Sequence, residues 1–135
     1  MSKQLAKRNW IFSLISENWE LIRNRQIFGA KNEKIAWKIG KGDRIILYVN
    51  GTNSFRGIFE VTGDWHKGTV FALEVGIQPI AIGSADMRKI KDSLSFVRLK
   101  EHASLYLQGT PANYKNPIPA EDFEIILREV KRNPI

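Results

Sequence analysis

The sequence predicts an α+β domain in which five to six short strands form a curved sheet closing into a small barrel, flanked by two to three short helices. Three observations carry this prediction. The run Ile45-Ile46-Leu47-Tyr48-Val49 is apolar on both faces, and a turn-rich stretch, Asn50 to Ser54, separates it from a second apolar run, Phe55–Val61. That pattern is a hairpin in the middle of a core, because Asn-Gly tolerates the positive φ of a tight turn. Further strand-like segments recur at short intervals, whereas strong helical spacing occurs only near the end of the chain. With 135 residues there is room for one core, spanning about residues 9–132, and a short chain with many strands buries them best by curling the sheet.

Taken in order, Trp10–Ile15 is β-branched and aromatic and reads as the first strand. Ser16 is placed to cap a short helix, Glu17–Asn24, with acid at its start and Arg23 and Arg25 at its end. Ile27–Ala30 reads as a short strand or sharp bend, and residues 31–41 as a basic irregular stretch. Arg44–Val49 and Phe55–Val61 make the hairpin, with Phe55, Gly57, Phe59 and Val61 expected on one face. Val70–Val75 and Ile77–Ile82 are two strand segments separated by Gly76 and bent by Pro79. Ala85–Lys91 reads as a short helix and Leu94–Val97 as a further strand. The final helix starts at Pro119, has Glu121 and Asp122 in its first turn, and carries Phe123, Ile126, Leu127 and Val130 on one face.

Composition excludes several classes of function. The absence of cysteine removes disulfides, thiolate catalysis and every Cys-based metal site, and two histidines, His66 and His102, make a poor zinc centre. No metal or cofactor is expected. No segment approaches the 18 apolar residues of a membrane span, and the apolar run after Lys7-Arg8 is too short for a signal peptide, so a cytoplasmic protein without membrane contact is expected. The formal charge of +7 is unevenly placed, since residues 1–50 hold ten basic and four acidic residues. A one-sided basic region suggests a polyanionic partner.

Enzyme motifs are scarce: there is no G-x-S-x-G, no phosphate-binding glycine loop and no H-E-x-x-H. Asp64 with His66 could form an acid–base pair, but no nucleophile accompanies it. Lys41, Glu60 and Thr52 are the residues a hydrolase or ribonuclease would have to assemble. The aromatic residues carry more information. Trp10 on the first strand and Trp19 in the short helix are expected in the core. Phe28 precedes Gly29 at a bend, and Trp65 follows the hairpin; rings at strand ends beside basic residues are where a splayed-out base stacks.

The order of Asn9-Trp-Ile-Phe12, Ser16-Glu-Asn-Trp-Glu20, Ile27-Phe-Gly29, Lys41-Gly-Asp43, Tyr48-Val-Asn-Gly-Thr52 and Phe55-Arg-Gly-Ile-Phe-Glu-Val61 resembles the EVE domain, a PUA-like family related to the YTH and ASCH domains. Leu94-Ser-Phe-Val97, Gly109-Thr-Pro-Ala-Asn113 and Pro117-Ile-Pro119 continue the likeness, which covers about residues 9–130. It implies a PUA-like barrel and a non-enzymatic module that recognises a modified nucleobase, methylated cytosine or adenine, in RNA or in single-stranded or flipped-base DNA. The implied pocket consists of Ser13 on the first strand, Phe28 as one wall in place of the more usual tryptophan, Gly29 beside it, Asn50, Gly51 and Thr52 at the mouth, Trp65 as second wall, and Gly109, Thr110 and Asn113 as closing loop. Lys31, Lys34, Lys38 and Arg56 are the expected phosphate contacts, and a monomer is the expected state. The alternative that the resemblance leaves open is an ASCH-like RNA-processing hydrolase or ribonuclease using the same pocket.

Overall fold

A computed structural model describes residues 8–30, 33–95 and 117–135. The chain runs β1 (Asn9–Leu14), α1 (Ser16–Arg25), β2 (Ile27–Ala30), α2 (Glu33–Lys38), β3 (Arg44–Val49), β4 (Ser54–Val61), β5 (His66–Lys67), β6 (Leu73–Asp86), α3 (Met87–Ile90) and α4 (Ala120–Arg132). The sheet has the order β1-β3-β4-β6-β2, with β5 attached to β6. β1 runs parallel to β3, and the remaining pairs are antiparallel. The result is the expected α+β architecture, a curled half-barrel with helices against it.

The curl comes from β6. Its later residues, Ile77 to Asp86, pair with β4, while Leu73 to Gly76 pair with β2. One 14-residue strand therefore belongs to two ladders, and the sheet must bend between them. The sequence suggests two segments here because Gly76 and Pro79 punctuate the run. Both are tolerated: Pro79 lies opposite Phe59 where the β4 register shifts, so its missing N–H falls at a bulge rather than in a regular ladder.

Two apolar clusters sit on the two faces of the sheet. Ile11, Ile46, Tyr48, Phe55 and Ile58 pack under Phe123, Ile126 and Val130 of α4. Trp10, Phe12, Leu47, Phe59 and Val61 pack on the other face with Trp19 and Ile22 of α1 and with Phe28 of β2. Each fully buried Phe, Leu or Ile contributes about 1.5–3 kcal/mol, so both faces are anchored. The β4 alternation holds for Phe59 and Val61, but Phe55 lies on the opposite face. Register shifts beside Tyr48 and between Phe55 and Gly57 reverse the pleat there. A Cβ on Gly57 would come within 2.8 Å of the Trp19 ring, so glycine is what admits α1 to this face.

Local differences from the sequence reading have simple causes. Ser16 is the first helical residue rather than the cap, because Ile15 is already extended and supplies the cap position without a side-chain bond. The stretch expected to be irregular contains α2, a helix of only 6 residues that opens on Glu33 and ends on Lys38. Val70 lies outside β6, and the Ala85–Lys91 segment forms α3 with a 3-10 turn, Lys91–Ser93. Pro119 caps α4. Leu94 is buried, while Phe96 and Val97 of the strand expected there lie outside the described residues. Asp122 of α4 is turned inward, accepting hydrogen bonds from the Ser95 N–H at 3.0 Å and hydroxyl at 2.8 Å.

A buried carboxylate ties the open end of the β1–β3 pair. Asp43 accepts from the Trp10 indole N–H at 3.1 Å, the Gly40 N–H at 3.0 Å, and the Arg8 backbone N–H and guanidinium at 3.3 and 3.4 Å. Asp43→Ala strands the buried Trp10 and Gly40 donors and is expected to cost about 2–3 kcal/mol of stability. Asp43→Asn, which keeps an acceptor, is expected to cost less, and urea unfolding of the two variants measures the difference.

Candidate nucleobase site

Four aromatic rings gather where β2 closes against β1. Phe28 is 3% exposed, and its ring centroid lies 4.8 Å from that of Phe12, tilted at 53°. Trp65, half-buried in the segment between β4 and β5, meets Phe28 edge-to-face at 6.3 Å and 69°. Its indole N–H donates to the Ile39 carbonyl at 2.9 Å, just beyond α2. Gly29 brings in the fourth ring, because a Cβ there would fall 2.1 Å from Phe71 Cγ. Only glycine lets Phe71 lie against the β2 backbone at that point.

The loop carrying Phe71 is held by a carboxylate. Glu74 accepts from the Val70 N–H at 2.8 Å and the Phe71 N–H at 2.9 Å. These backbone donors, Phe71 first, hold its carboxyl below the usual carboxylate range, with a smaller contribution from the charge of His66. His66 itself is exposed and faces the Lys67 carbonyl through Nδ1 at 3.1 Å.

The structure brings together Phe28, Gly29 and Trp65 of the expected pocket. It places Ser13, Asn50, Gly51 and Thr52 elsewhere. Trp10, Phe12 and Leu14 point to the Phe28 side of β1, so the pleat turns Ser13 to the Ile11 side, in register with Tyr48. Asn50 extends the β1–β3 ladder by donating its N–H to the Leu14 carbonyl at 2.8 Å. The turn that follows has positive φ at Gly51 and Asn53 and leaves β3 at the end opposite to the one where Trp65 follows β4. Thr52 is bound within the turn, to the Val49 carbonyl at 2.7 Å and the Ser54 hydroxyl at 2.8 Å. Ser13 Oγ and Asn50 Oδ1 are buried with no hydrogen-bond partner among the described residues.

Of the expected phosphate contacts, Lys38 ends α2 beside Ile39, and Arg56 is half-buried with Nε donating to Ser54 Oγ at 2.7 Å. Lys34 is placed only by the backbone of α2; Lys31, Gly109, Thr110 and Asn113 lie outside the described residues. The hydrolase set is not assembled: Thr52 is in the turn, whereas Glu60 lies opposite Arg44 at the other end of the hairpin. Among the described residues no three His, Cys, Asp or Glu side chains group as metal ligands, and no helix is long and apolar enough to cross a membrane. The sequence reading missed Phe12, Phe71 and the Ile39 carbonyl as parts of this site. Phe12 is hidden in a strand apolar on both faces, but Phe71, isolated after Gly68-Thr69, follows the same rule that singled out Phe28.

An EVE domain model matches residues 8–129. A UPF0310 protein of Saccharolobus solfataricus is 31% identical over 136 residues, covering 87% of this chain and 91% of its own. A UPF0310 protein of Pyrococcus horikoshii is 25% identical, covering 87% and 94%. In fold the chain is similar to the YTH domain of Zygosaccharomyces rouxii MRB1, solved in complex with N6-methyladenosine RNA, with a TM-score of 0.65, 14% identity and coverage of 97% and 88%. It is also similar to the Toxoplasma CPSF4-YTH domain in apo form, with a TM-score of 0.68, 10% identity and coverage of 98% and 91%.

Because the Glu74 pKa is depressed in the fold, its contribution is present above the ordinary carboxylate range and is lost as pH falls through its own lower value. Amide exchange at Val70 and Phe71, corrected for intrinsic rate, is therefore expected to accelerate on acidification. Glu74→Gln is expected to remove that acid step.

Proposed function

The chain belongs to the EVE domain family, and from that membership together with the aromatic cluster we propose that it is a non-enzymatic nucleic-acid-binding module that takes up a single modified nucleobase, methylated cytosine or adenine, between Phe28 and Trp65. The observation that carries the proposal is the unequal hold on the two rings. Phe28 is clamped by Phe12 inside the core, whereas Trp65 is half-buried at the cluster's edge, packed against it and hydrogen-bonded to Ile39. A base stacked on both faces needs the two rings parallel and separated enough to admit it. Phe28 and Trp65 meet edge-to-face at 6.3 Å and 69°, so the rings touch and a base enters only as Trp65 moves away. Entry is then a rotation of Trp65 against a fixed Phe28.

The energies balance closely. Turning Trp65 gives up its bond to Ile39, about 0.5–1.5 kcal/mol, and an edge-to-face contact, about 0.5–1.5 kcal/mol. Stacking returns about 1–3 kcal/mol per base. The base alone therefore provides little net affinity, and a methyl group that fills the slot provides discrimination of about 10–200-fold. In this proposal Lys31, Lys34, Lys38 and Arg56 supply phosphate contacts, Ser13, Asn50, Gly51 and Thr52 belong to the supporting end of the sheet, and the domain acts as a monomer. The fold likeness to one YTH domain solved with N6-methyladenosine RNA and to another solved with m6A supports a base-binding reading.

Titration with single-stranded RNA and DNA oligonucleotides, with and without N6-methyladenine or 5-methylcytosine, tests it. One modified oligonucleotide is expected to bind about 10–200-fold tighter than its unmodified twin; equal, salt-sensitive affinity for all would mean a generic polyanion binder. Trp65→Ala removes the stacking gain together with the cost of turning the ring, so it is expected to weaken binding by less than the full stacking energy of about 1–3 kcal/mol and to abolish the preference for the modified strand. Phe28→Ala is instead expected to cost about 3–5 kcal/mol of stability, and melting curves beside binding curves separate the two roles.

A further inference from the structure

We infer that the phosphates flanking the bound base are held by Lys41 and Lys67, on a rim around Trp65 that the expected contacts at Lys31, Lys34, Lys38 and Arg56 do not include. The inference rests on the base-binding proposal above and names the path of the strand. Trp65 is bonded to Ile39, which joins two segments that carry basic residues, Lys38 to Lys41 and His66-Lys67. Lys41 and Lys67 are both exposed, and neither makes an ion pair or side-chain hydrogen bond among the described residues.

Several arginines of the fold are already engaged. Arg88 is held by Asp86 at 3.0 Å, Arg132 by Glu129 at 3.0 Å, and Arg44 lies over the Phe123 ring with Nε on Asn9. The carboxylates around the rim are largely turned inward. Asp43 is occupied by Trp10, Gly40 and Arg8, and Glu74 by the Val70 and Phe71 N–H groups, which leaves Asp64 as the exposed acid next to Trp65. Lys67 follows Trp65 by two residues and Lys41 follows its Ile39 partner by two, so both chain segments that meet at Trp65 carry an exposed lysine. A lysine meets phosphate as a point charge without reading sequence, so this rim adds affinity to any strand and leaves selection to the slot.

The test compares wild type, the Lys41→Gln/Lys67→Gln double variant and an Arg128→Gln/Lys131→Gln control that removes the same charge from α4, by oligonucleotide titration across a salt series. The rim variant is expected to weaken binding to modified and unmodified strands alike by roughly tenfold, and to flatten the log–log salt slope by about 1.4, at about 0.7 per phosphate contact on a single strand. The control is expected to change neither the slope nor the ratio between modified and unmodified strands. Wild-type slope retained in the rim variant, or an equal loss in the control, overturns the inference while leaving the base-binding proposal standing. Failure of the wild type to bind any oligonucleotide overturns the base-binding proposal itself.

Discussion

β6 has to satisfy two ladders with one continuous backbone. Its N-terminal residues give their hydrogen bonds to β2 and β5, and its C-terminal residues give theirs to β4. A flat sheet cannot offer both sets, so the strand bends and carries β2 round toward β1. The contact between Phe12 and Phe28, from the two strands at the ends of the sheet order, is the direct consequence. Everything proposed about the site depends on that closure, because it fixes Phe28 as an immovable wall and leaves Trp65, carried on the segment after β4, as the movable one.

The rigid and movable parts are stabilised by different physics. The rigid part rests on apolar burial on both faces of the sheet and on Asp43, whose charge is covered by donors from three residues. The segment proposed to move adds polar contacts to backbone, Trp65 on the Ile39 carbonyl and Glu74 on two loop N–H groups, to its packing at the cluster's edge. Contacts of that kind are worth little individually, and base entry requires Trp65, at the edge of the core cluster, to give up less than the buried rings would.

Much of the fold was legible because its signals are local. The β3–β4 hairpin, β2 and α4 follow from apolar runs, turn residues and helical spacing, and they stand where the sequence puts them. The continuity of β6 was not legible: Gly76 and Pro79 read as breaks, and only the bulge opposite Pro79 explains how the strand passes them. α2 escaped because 6 residues are too short to show a period. The site was legible in its rings and not in its polar members. Phe28, Gly29 and Trp65 converge, yet Ser13 sits one residue from Phe12 and so faces away, and in a strand apolar on both sides nothing in the sequence says which face is which. The resemblance places the turn from Asn50 to Thr52 at the pocket's mouth, whereas the antiparallel hairpin puts that turn and the Trp65 segment at opposite ends of β3.

The most direct test of a turning Trp65 is the indole N–H spectrum of the protein during titration with a single-stranded oligonucleotide carrying the preferred modified base. The Trp65 signal is expected to move as its bond to Ile39 breaks, while that of Trp10, fastened to Asp43 in the core, stays in place. Saturation of binding with the Trp65 signal unmoved would contradict the account.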